Sequence, residues 1–281
     1  MRQVSTPIID DAKIYDQVTA AKRQPRRGQL LAARDAVIEA YDNFSASVPD
    51  VAHLPAVVLA IEQRRALLHA YRVETKPFAR LKRQLTEPVI LARCPFCCIG
   101  EASTLDHYLP KELHPQFAIY SGNLVPCCSP CNTRKSQLVL DDKTEIRLFL
   151  HPYFDPIPDE QFIKLNVSIL PNALGLAFRT YQPAGLAEAA YLQLKSHFRL
   201  LRLADRYRIM SLEHLRNERR SFRRFYGPHN DTDRVSFELL QNAEDWEEDF
   251  GPNHWRVVLY RGLAADIAFC DGGFEVLEQI V

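Results

Sequence analysis

The chain has 281 residues, of which 47% are hydrophobic and 25% charged, and its formal net charge at pH 7 is zero. This is the composition of a globular protein with one large domain or two smaller ones. The zero charge argues against indiscriminate nucleic-acid binding. The first thirty residues lack the apolar core of a secretory signal, and the longest apolar run, Ala56–Ile61, is far too short to span a bilayer. We therefore expect a cytoplasmic protein with no membrane partner.

The N-terminal part of the chain is predicted to be helical. Apolar residues recur at helical spacing in three runs, Gln29–Tyr41, Ala56–Tyr71 and Lys76–Leu85. The stretch 26–28 (Arg-Arg-Gly) is interpreted as a breaker before the first run, and Pro88 as the stop of the third. Because Val89–Ala92 leads directly into a cysteine-rich centre, we expect these helices to pack on that centre.

Six of the seven cysteines lie between positions 94 and 131. They include two Cys-x-x-Cys pairs, Cys94/Cys97 and Cys128/Cys131, and two such turns complete a closed tetrahedral zinc site. Paired cysteines in a chain without a secretory signal favour thiolate ligands over disulfides. Cys98 and Cys127 adjoin the chosen four and stay open as alternative ligands. The isolated Cys270 lies in an apolar context and is predicted to be a core residue.

The long gap between the two cysteine pairs carries polar groups suited to phosphodiester chemistry. His107 has the only side-chain type that titrates near neutrality, which makes it a candidate general base. Asp106 and the amide oxygen of Asn132 are hard oxygen ligands that suit Mg²⁺ or Mn²⁺ better than zinc. Lys111 and Lys135 are candidate phosphate contacts.

One geometric condition applies to the Asp-His pair. Adjacent residues of a strand point to opposite faces, so Asp106 and His107 can both face one phosphate only if the strand bulges or ends there. Pro110 follows shortly and favours an ending. Of the neighbouring histidines, His114 is interpreted as a loop residue and His151 as a residue that packs beside the motif.

Residues 94–136 resemble the HNH endonucleases of the ββα-metal type. The resemblance lies in the order and spacing of four elements: Cys94-x-x-Cys97, Leu105-Asp106-His107, Asn123-Leu124-Val125 and Cys128-x-x-Cys131-Asn132-x-x-Lys135. It implies a hairpin with strands Ser103–His107 and Asn123–Cys127 followed by a helix Pro130–Leu140, holding one divalent cation. The zinc knuckles would staple this unit.

The resemblance also assigns roles. Asn123 would hold the loop and orient His107 through a backbone contact, without touching the metal. Asn132 stands where many members have His, and members with Asn at this position are active nucleases, so the departure shifts the metal preference and preserves activity. The products would carry 5′-phosphate and 3′-hydroxyl ends. Members with extended helical flanks are similar to nuclease subunits of bacterial antiphage systems, in which an ATPase partner supplies targeting.

After the motif the sequence pattern changes. Alternating β-formers predict a hairpin of Phe162–Leu170 and Leu174–Tyr181 that extends or covers the central unit. Leu186–Phe225 is a long helical pattern, expected to break near Met210-Ser211 with Ser211 as an N-cap. Further helices are predicted at Ser236–Gln241 and Trp255–Phe269, with an acidic segment at 244–250.

The charges are unevenly distributed. Residues 64–83 carry seven basic side chains and one acidic, and residues 195–224 carry ten basic and three acidic. From Asp231 onward twelve acidic residues oppose three basic ones. The first basic stretch is either a solvated helix face or a phosphate-binding face, and the second is the stronger candidate for contact with a nucleic-acid backbone. The acidic end is expected to be solvated, with folding back on the basic helix or contact with a basic partner as alternatives.

These patterns predict an α+β protein in which a zinc-stapled ββα-metal unit is embedded between mainly helical regions. The expected domains are residues 1–92 (helical), 93–183 (nuclease unit with the following hairpin) and 184–281 (helical). The expected function is metal-dependent endonuclease cleavage of DNA, with structural zinc and catalytic Mg²⁺ or Mn²⁺, as the effector of an antiphage system with an ATPase subunit. Two alternatives stay open: a non-catalytic zinc module that binds DNA or an ATPase, and a sequence-specific restriction or homing-type endonuclease.

Overall fold

The structure, a computed structural model, describes residues 1–87 and 93–278. Within them helices combine with two small antiparallel sheets of two strands each. The chain divides into two compact units, residues 2–156 and residues from 157 onward together with Met1. This division differs from the predicted boundaries at 92/93 and 183/184, because the N-terminal helices share a unit with the cysteine-rich centre and the 162–181 hairpin belongs to the second unit. The predicted stop at Pro88 and lead-in at Val89–Ala92 lie outside the described residues.

The first unit consists of four helices, a short hairpin and a fifth helix. In chain order these elements are α1 (Asp11–Ala20), α2 (Arg26–Ser47), α3 (Ile61–Arg72), α4 (Lys76–Thr86), β1 (Thr104–His107), β2 (Leu124–Cys127) and α5 (Ser129–Lys135). Helix α4 was predicted well because its apolar residues, which recur at helical spacing, are the ones that are buried. Phe78, Leu81 and Leu85 recur at three- and four-residue intervals and are all buried.

The 26–28 stretch was wrongly predicted to be a breaker. Helix α2 begins at Arg26 and includes Gly28, whose N–H donates to Oε1 of Gln24 at 3.1 Å. A side chain upstream of the helix thus satisfies a backbone donor of the first turn, which lets the helix start three residues before the predicted run from Gln29. Helix α1 was not predicted at all. Asp10 caps it by accepting from the N–H of Lys13 at 2.9 Å.

Helix α2 packs on the loop between β1 and β2, as expected for the N-terminal helices. The ring of Tyr41 stacks on that of Tyr120 with centroids 4.3 Å apart, and Phe44 meets Phe117 edge-on at 5.1 Å. Ser45 Oγ lies 2.9 Å from the Tyr120 hydroxyl. Aromatic pairs of this kind contribute roughly 0.5–1.5 kcal/mol each beyond their buried area. The helices therefore hold the loop that leads into β2.

His151 lies in the aromatic core of the same unit. It is fully buried, with ring centroids 4.3 Å from Tyr108 and 4.4 Å from Phe154, and its Nδ1 accepts from the N–H of Tyr153 at 3.3 Å. Burial lowers the pKa of His151 well below its usual value, so the imidazole is neutral in the fold. These contacts assign His151 a packing role.

Because His151 is buried, the protein is expected to become less stable as the pH falls. Above pH 6.5 His151 is neutral in both states, but below it only the unfolded chain takes up the proton, so stability decreases by up to about 1.4 kcal/mol per pH unit. We expect His151→Phe to be less stable at pH 7 because Tyr153 loses its acceptor, yet to lose about 1 kcal/mol less between pH 6 and pH 5. Urea unfolding followed by circular dichroism measures this. A substitution of the exposed His53 is the control. Equal losses of stability between pH 6 and pH 5 in wild type and in His151→Phe would contradict the expectation.

The second unit is a hairpin with helices packed on it. Its elements are β3 (Ile163–Leu170), β4 (Ala173–Thr180), α6 (Glu188–Leu200), α7 (Leu203–Tyr226), α8 (Thr232–Phe250), α9 (Trp255–Ala264) and α10 (Ile267–Cys270). The two strands pair antiparallel from Ile163 with Thr180 to Leu170 with Ala173. Helix α9 lies on β3, and a Cβ at Gly262 would come within 2.6 Å of the Leu165 Cβ. That close approach explains a glycine inside a helix, where it costs about 1 kcal/mol relative to alanine.

The predicted break near Met210 was wrong. The helices separate at Leu201–Arg202, where Arg202 adopts a left-handed backbone with φ of 53°. Ser211 lies inside α7, fully buried, one turn after the buried Tyr207 and one turn before the buried Leu215. Its small side chain fits the apolar stripe, so it does not cap a helix.

The C-terminal segments also differ from their predictions. Helix α8 continues through the acidic segment to Phe250, and the predicted Trp255–Phe269 helix is split near Asp266, which caps α10 through the N–H of Phe269 at 2.8 Å. Cys270 is buried, as predicted. The acidic end was expected to be solvated, but part of it folds back on α7. Glu275 and Glu278 both pair with Arg223, and Glu278 also lies 3.5 Å from Arg219.

No helix among residues 1–87 and 93–278 combines the length and apolar character that crossing a membrane requires.

Candidate metal centre and polar site

The site is built on the hairpin β1–β2 and the helix α5. The strands pair antiparallel, with Asp106 opposite Val125 and His107 opposite Leu124. Cys128, which is extended, serves as the N-cap of α5 directly after β2. The helix ends at Lys135 because Ser136 turns to a φ of 49°, so the predicted helix to Leu140 was too long. This short unit places cysteines, Asn132 and Lys135 against β1.

Four buried cysteines form one cluster in this unit. The sulfur atoms of Cys94, Cys97, Cys128 and Cys131 all lie within 4.8 Å of one another, and the Sγ atoms of Cys97 and Cys128 are 3.7 Å apart. A tetrahedral zinc site with Zn–S bonds of about 2.3 Å has sulfur–sulfur edges of about 3.8 Å. Each pair closes a tight turn, in which Cys98 N–H donates to Cys94 O at 2.8 Å and Cys131 N–H donates to Cys128 O at 3.0 Å. The residues fit a structural zinc ion.

The neighbouring cysteines lie outside this cluster. Cys127 Sγ lies 3.5 Å from the Thr104 hydroxyl, and Cys98 occupies a left-handed backbone position with φ of 56° in the first turn. Hydrogen bonding from Cys131 and Cys94 lowers the pKa of Cys128, whereas burial raises the pKa of Cys127 to about 12. Gly100 approaches the second pair so closely that a Cβ there would lie 2.8 Å from the Cys128 Cβ.

Asp106 faces helix α5 and is almost fully buried. Its Oδ2 lies 3.0 Å from Nζ of Lys135, which also donates to the carbonyl of His107 at 2.9 Å. Lys135 is itself only 1% exposed, so the structure does not present it to a phosphate. Burial raises the pKa of Asp106, and the Lys135 ammonium partly offsets that rise. Asp106 and Lys135 therefore form a buried ion pair in the site.

His107 is the last residue of β1 and is held from the other side. Its Nε2 lies 3.0 Å from the carbonyl of Ala118, and because a carbonyl only accepts, Nε2 carries the proton. The tautomer is thereby fixed with the lone pair on Nδ1. Burial lowers the pKa of His107 to about 3, so the imidazole is neutral at pH 7. The ring meets Tyr71 edge-on with centroids 4.3 Å apart.

The side chain of Asn123 hydrogen-bonds to the backbone of the loop between β1 and β2. Its Oδ1 accepts from the N–H of Leu109 at 2.7 Å, and its Nδ2 donates to the carbonyls of Leu109 at 3.0 Å and Phe117 at 3.3 Å. The carbonyl of Asn123 accepts from the N–H of Tyr108, directly after His107. These bonds to the backbone on both sides of the insert fix the path of the chain around the His107 ring.

Asn132 lies on α5 one turn before Lys135. Its Nδ2 donates to the Thr104 hydroxyl at 3.2 Å and to the Leu105 carbonyl at 3.4 Å, which leaves Oδ1 as the accepting end. The residue lines a cleft of about 520 Å³ between α4 and the start of β1. The other lining residues are Tyr71, Lys82, Arg83, Thr86, Ser103, Thr104 and Leu105.

The structure thus places Asp106 and His107 at the end of β1 and Asn132 against its start, and the three side chains take different directions. Asp106 contacts α5 and the His107 ring contacts the turn at Ala118, as alternation along a strand requires. No hydrogen bond joins these two side chains among the described residues. Lys111 is half-buried and pairs with Glu112 at 3.0 Å, with its Nζ 5.5 Å from the Tyr71 ring centroid.

Comparison with known proteins finds a similarity to a phage protein. Over 197 residues the chain is 34% identical to protein ea31 of Escherichia phage lambda. The aligned part is 64% of this chain and 64% of the phage protein, so the chain spans slightly less than two thirds of that relative's length. No family model matches the chain, and no solved structure matches it.

Two residues of the site were not expected from the sequence. Tyr71, at the end of α3, touches the His107 ring, and the pKa of its hydroxyl is raised by burial and by the nearby Asp106 charge. Lys82 stands over the Tyr71 ring at 5.4 Å from its centroid. Both lie far from the motif in sequence. For Tyr71 the available signal was the predicted packing of the helices on the cysteine-rich centre, which names no residue. Lys82 belongs to the basic stretch 64–83, for which a phosphate-binding face was one of two interpretations.

Proposed function

We propose that the chain is a metal-dependent endonuclease of the HNH type that hydrolyses phosphodiester bonds in DNA. The observation that carries the proposal is His107, a neutral imidazole whose tautomer is fixed by Ala118 and which adjoins a buried carboxylate. Asn132 adds an amide oxygen from a helix that begins at the cysteine cluster. A base, two oxygen ligands and a rigid support are the parts that this hydrolysis requires.

In this proposal His107 accepts a proton from water at Nδ1 while the water oxygen attacks phosphorus. The bond from phosphorus to the 3′-oxygen breaks, leaving a 5′-phosphate, and the departing oxygen takes a proton from solvent. The Nε2–H bond to Ala118 holds the ring and disperses the positive charge that the imidazole acquires. Asn123 keeps the surrounding backbone in place through its three bonds.

Asp106 and Asn132 are the residues that would hold Mg²⁺ or Mn²⁺. Both offer hard oxygen atoms, and Asp106 Oδ2 is a buried atom without a well-directed hydrogen bond, although Lys135 Nζ lies 3.0 Å away. The bound ion would supply Lewis-acid stabilisation of the phosphate charge. Lys135 balances the Asp106 charge when no ion is present, and would share that carboxylate or move aside when one is.

Cleavage of supercoiled plasmid by the purified, zinc-loaded chain tests the proposal. We expect nicked and linear products with Mg²⁺ or Mn²⁺, and loss of cleavage in Asn132→Ala at unchanged zinc content. If the chain is inactive alone, the assay is repeated with a co-purified ATPase, because assembly with such a partner in a defence system is part of the proposal. Absence of divalent-dependent cleavage in both forms would overturn it.

A second candidate function is a non-catalytic zinc module that binds DNA or an ATPase. The Lys135–Asp106 ion pair favours it, since an ammonium already neutralises the carboxylate that the metal would need. Binding of DNA without cleavage would favour this module. Discrete fragments from long DNA would instead indicate a sequence-specific enzyme.

A further inference from the structure

We propose that the cleft between α4 and the start of β1 binds backbone phosphates of a nucleic-acid strand through Lys82 and Arg83. The inference rests on the proposed function, because the strand in this cleft would be the one that is cut. The cleft has a volume of about 520 Å³, and Asn132 forms part of its wall. A strand lying in it would therefore contact the amide proposed to hold the metal.

The chemistry of the lining fits phosphodiesters. Arg83 is exposed and has no ion-pair partner in the described part of the chain, so its guanidinium is available to an anion. Lys82 is one-third exposed and is positioned by two aromatic rings, with Nζ 5.0 Å from the Phe78 centroid. The hydroxyl of Ser103 adds a hydrogen-bond donor on the opposite wall, whereas the Thr104 hydroxyl already donates to the Cys127 carbonyl at 2.9 Å.

The lining favours the backbone over the bases. Tyr71 is the one aromatic residue among the described residues that line the cleft, and the ammonium groups of Lys82 and Lys111 lie 5.4 Å and 5.5 Å from its ring centroid. His107 and Phe78 meet the same ring at 4.3 Å and 5.5 Å. A ring surrounded in this way does not offer an open face for stacking a base. Recognition through phosphates alone carries no direct sequence information.

Two features of the same helices provide matched variants. Arg65 on α3 and Arg80 on α4 are exposed but do not line the cleft, so removing them changes the net charge equally. Glu74 lies 2.8 Å from Lys82 Nζ and competes with a phosphate for it. Lys82→Gln/Arg83→Gln should therefore weaken binding, Arg65→Gln/Arg80→Gln should leave it nearly unchanged, and Glu74→Gln should tighten it.

The experiment measures binding separately from cleavage. Each set of substitutions is made in a His107→Ala background, and fluorescence anisotropy follows labelled 20-nucleotide single-stranded DNA, duplex DNA and RNA over a range of salt concentrations. On the strand type that binds best, Lys82→Gln/Arg83→Gln should weaken binding about tenfold or more. It should also reduce the salt slope by about 1.4 for a single strand or about 1.8 for a duplex. Zinc content and circular dichroism confirm that every variant is folded.

The proposal is overturned if the two double variants lose affinity equally, since that indicates general charge attraction, or if Glu74→Gln weakens binding. It is likewise overturned if the parent binds none of the three nucleic acids. Failure of the nuclease proposal gives a different result, in which plasmid stays uncut by the wild type while the cleft variants still change binding as expected.

Discussion

Replacing His107 by alanine is expected to lower the rate of plasmid cleavage by a factor of about 10² to 10⁴, the usual contribution of a positioned general base. In the proposed mechanism the neutral imidazole, held by the Ala118 carbonyl through Nε2–H, takes a proton from water at Nδ1. Without it the attacking water loses its proton to solvent. The rate of nicking under single-turnover conditions measures the loss.

Alanine also leaves the Ala118 carbonyl unpaired, so a second variant separates catalysis from stability. The amide nitrogen of Gln in His107→Gln can donate to Ala118, but the side chain provides no base, and this variant should be as inactive as alanine. His53, which is exposed and pairs with Asp50 on a surface turn, gives the matched control, and His53→Ala should cleave at the wild-type rate. Wild-type cleavage by either His107 variant would remove the imidazole from the mechanism.

Loss of one clustered cysteine is expected to unfold much of residues 2–156. Cys94→Ser replaces a single atom but leaves three thiolates, which cannot complete the tetrahedral site. Structural zinc contributes free energy on the order of 10 kcal/mol or more in zinc-dependent units, which is as large as the whole stability of a typical domain. Loss of zinc from the chain should therefore occur together with unfolding, which limited proteolysis and circular dichroism measure.

The adjoining cysteines provide controls of identical chemistry. Cys98→Ser and Cys127→Ser make the same substitution beside the cluster, and both proteins should keep about one zinc per chain. Cys127→Ser is expected to lose only about 1–2 kcal/mol of stability, from burying a hydroxyl. Zinc retained by Cys94→Ser, or lost by either control, would show that the ligand set is wrong.

The parts of the molecule that could be predicted from the sequence are those fixed by neighbours along the chain. The Cys-x-x-Cys spacing predicts the cluster because each pair closes one local turn. Helix α4 and the β3–β4 hairpin fall within a residue or two of their predicted bounds, since apolar period and turn residues decide them. The Asn123 side chain contacts the backbone of Leu109 and Phe117, while its orienting of His107 stays a prediction.

The rest depends on tertiary contacts that no local pattern reports. Lys135 was expected to reach a phosphate, but α5 ends at that residue and its last turn faces the carboxylate of Asp106. Ser211 was predicted to be an N-cap, but it lies buried inside α7. Tyr71 and Lys82 reach the site only because α3 and α4 pack beside β1.

Anomalous diffraction from crystals of the zinc-loaded His107→Ala protein, grown with Mn²⁺ and a DNA oligonucleotide, locates both metals at once. We expect a zinc peak among the four clustered sulfur atoms and a manganese peak about 2 Å from oxygen atoms of both Asp106 and Asn132. A zinc peak at the cysteines, with the Lys135 ammonium still on Asp106 and no manganese between the two oxygen donors, would contradict the proposed metal-dependent nuclease.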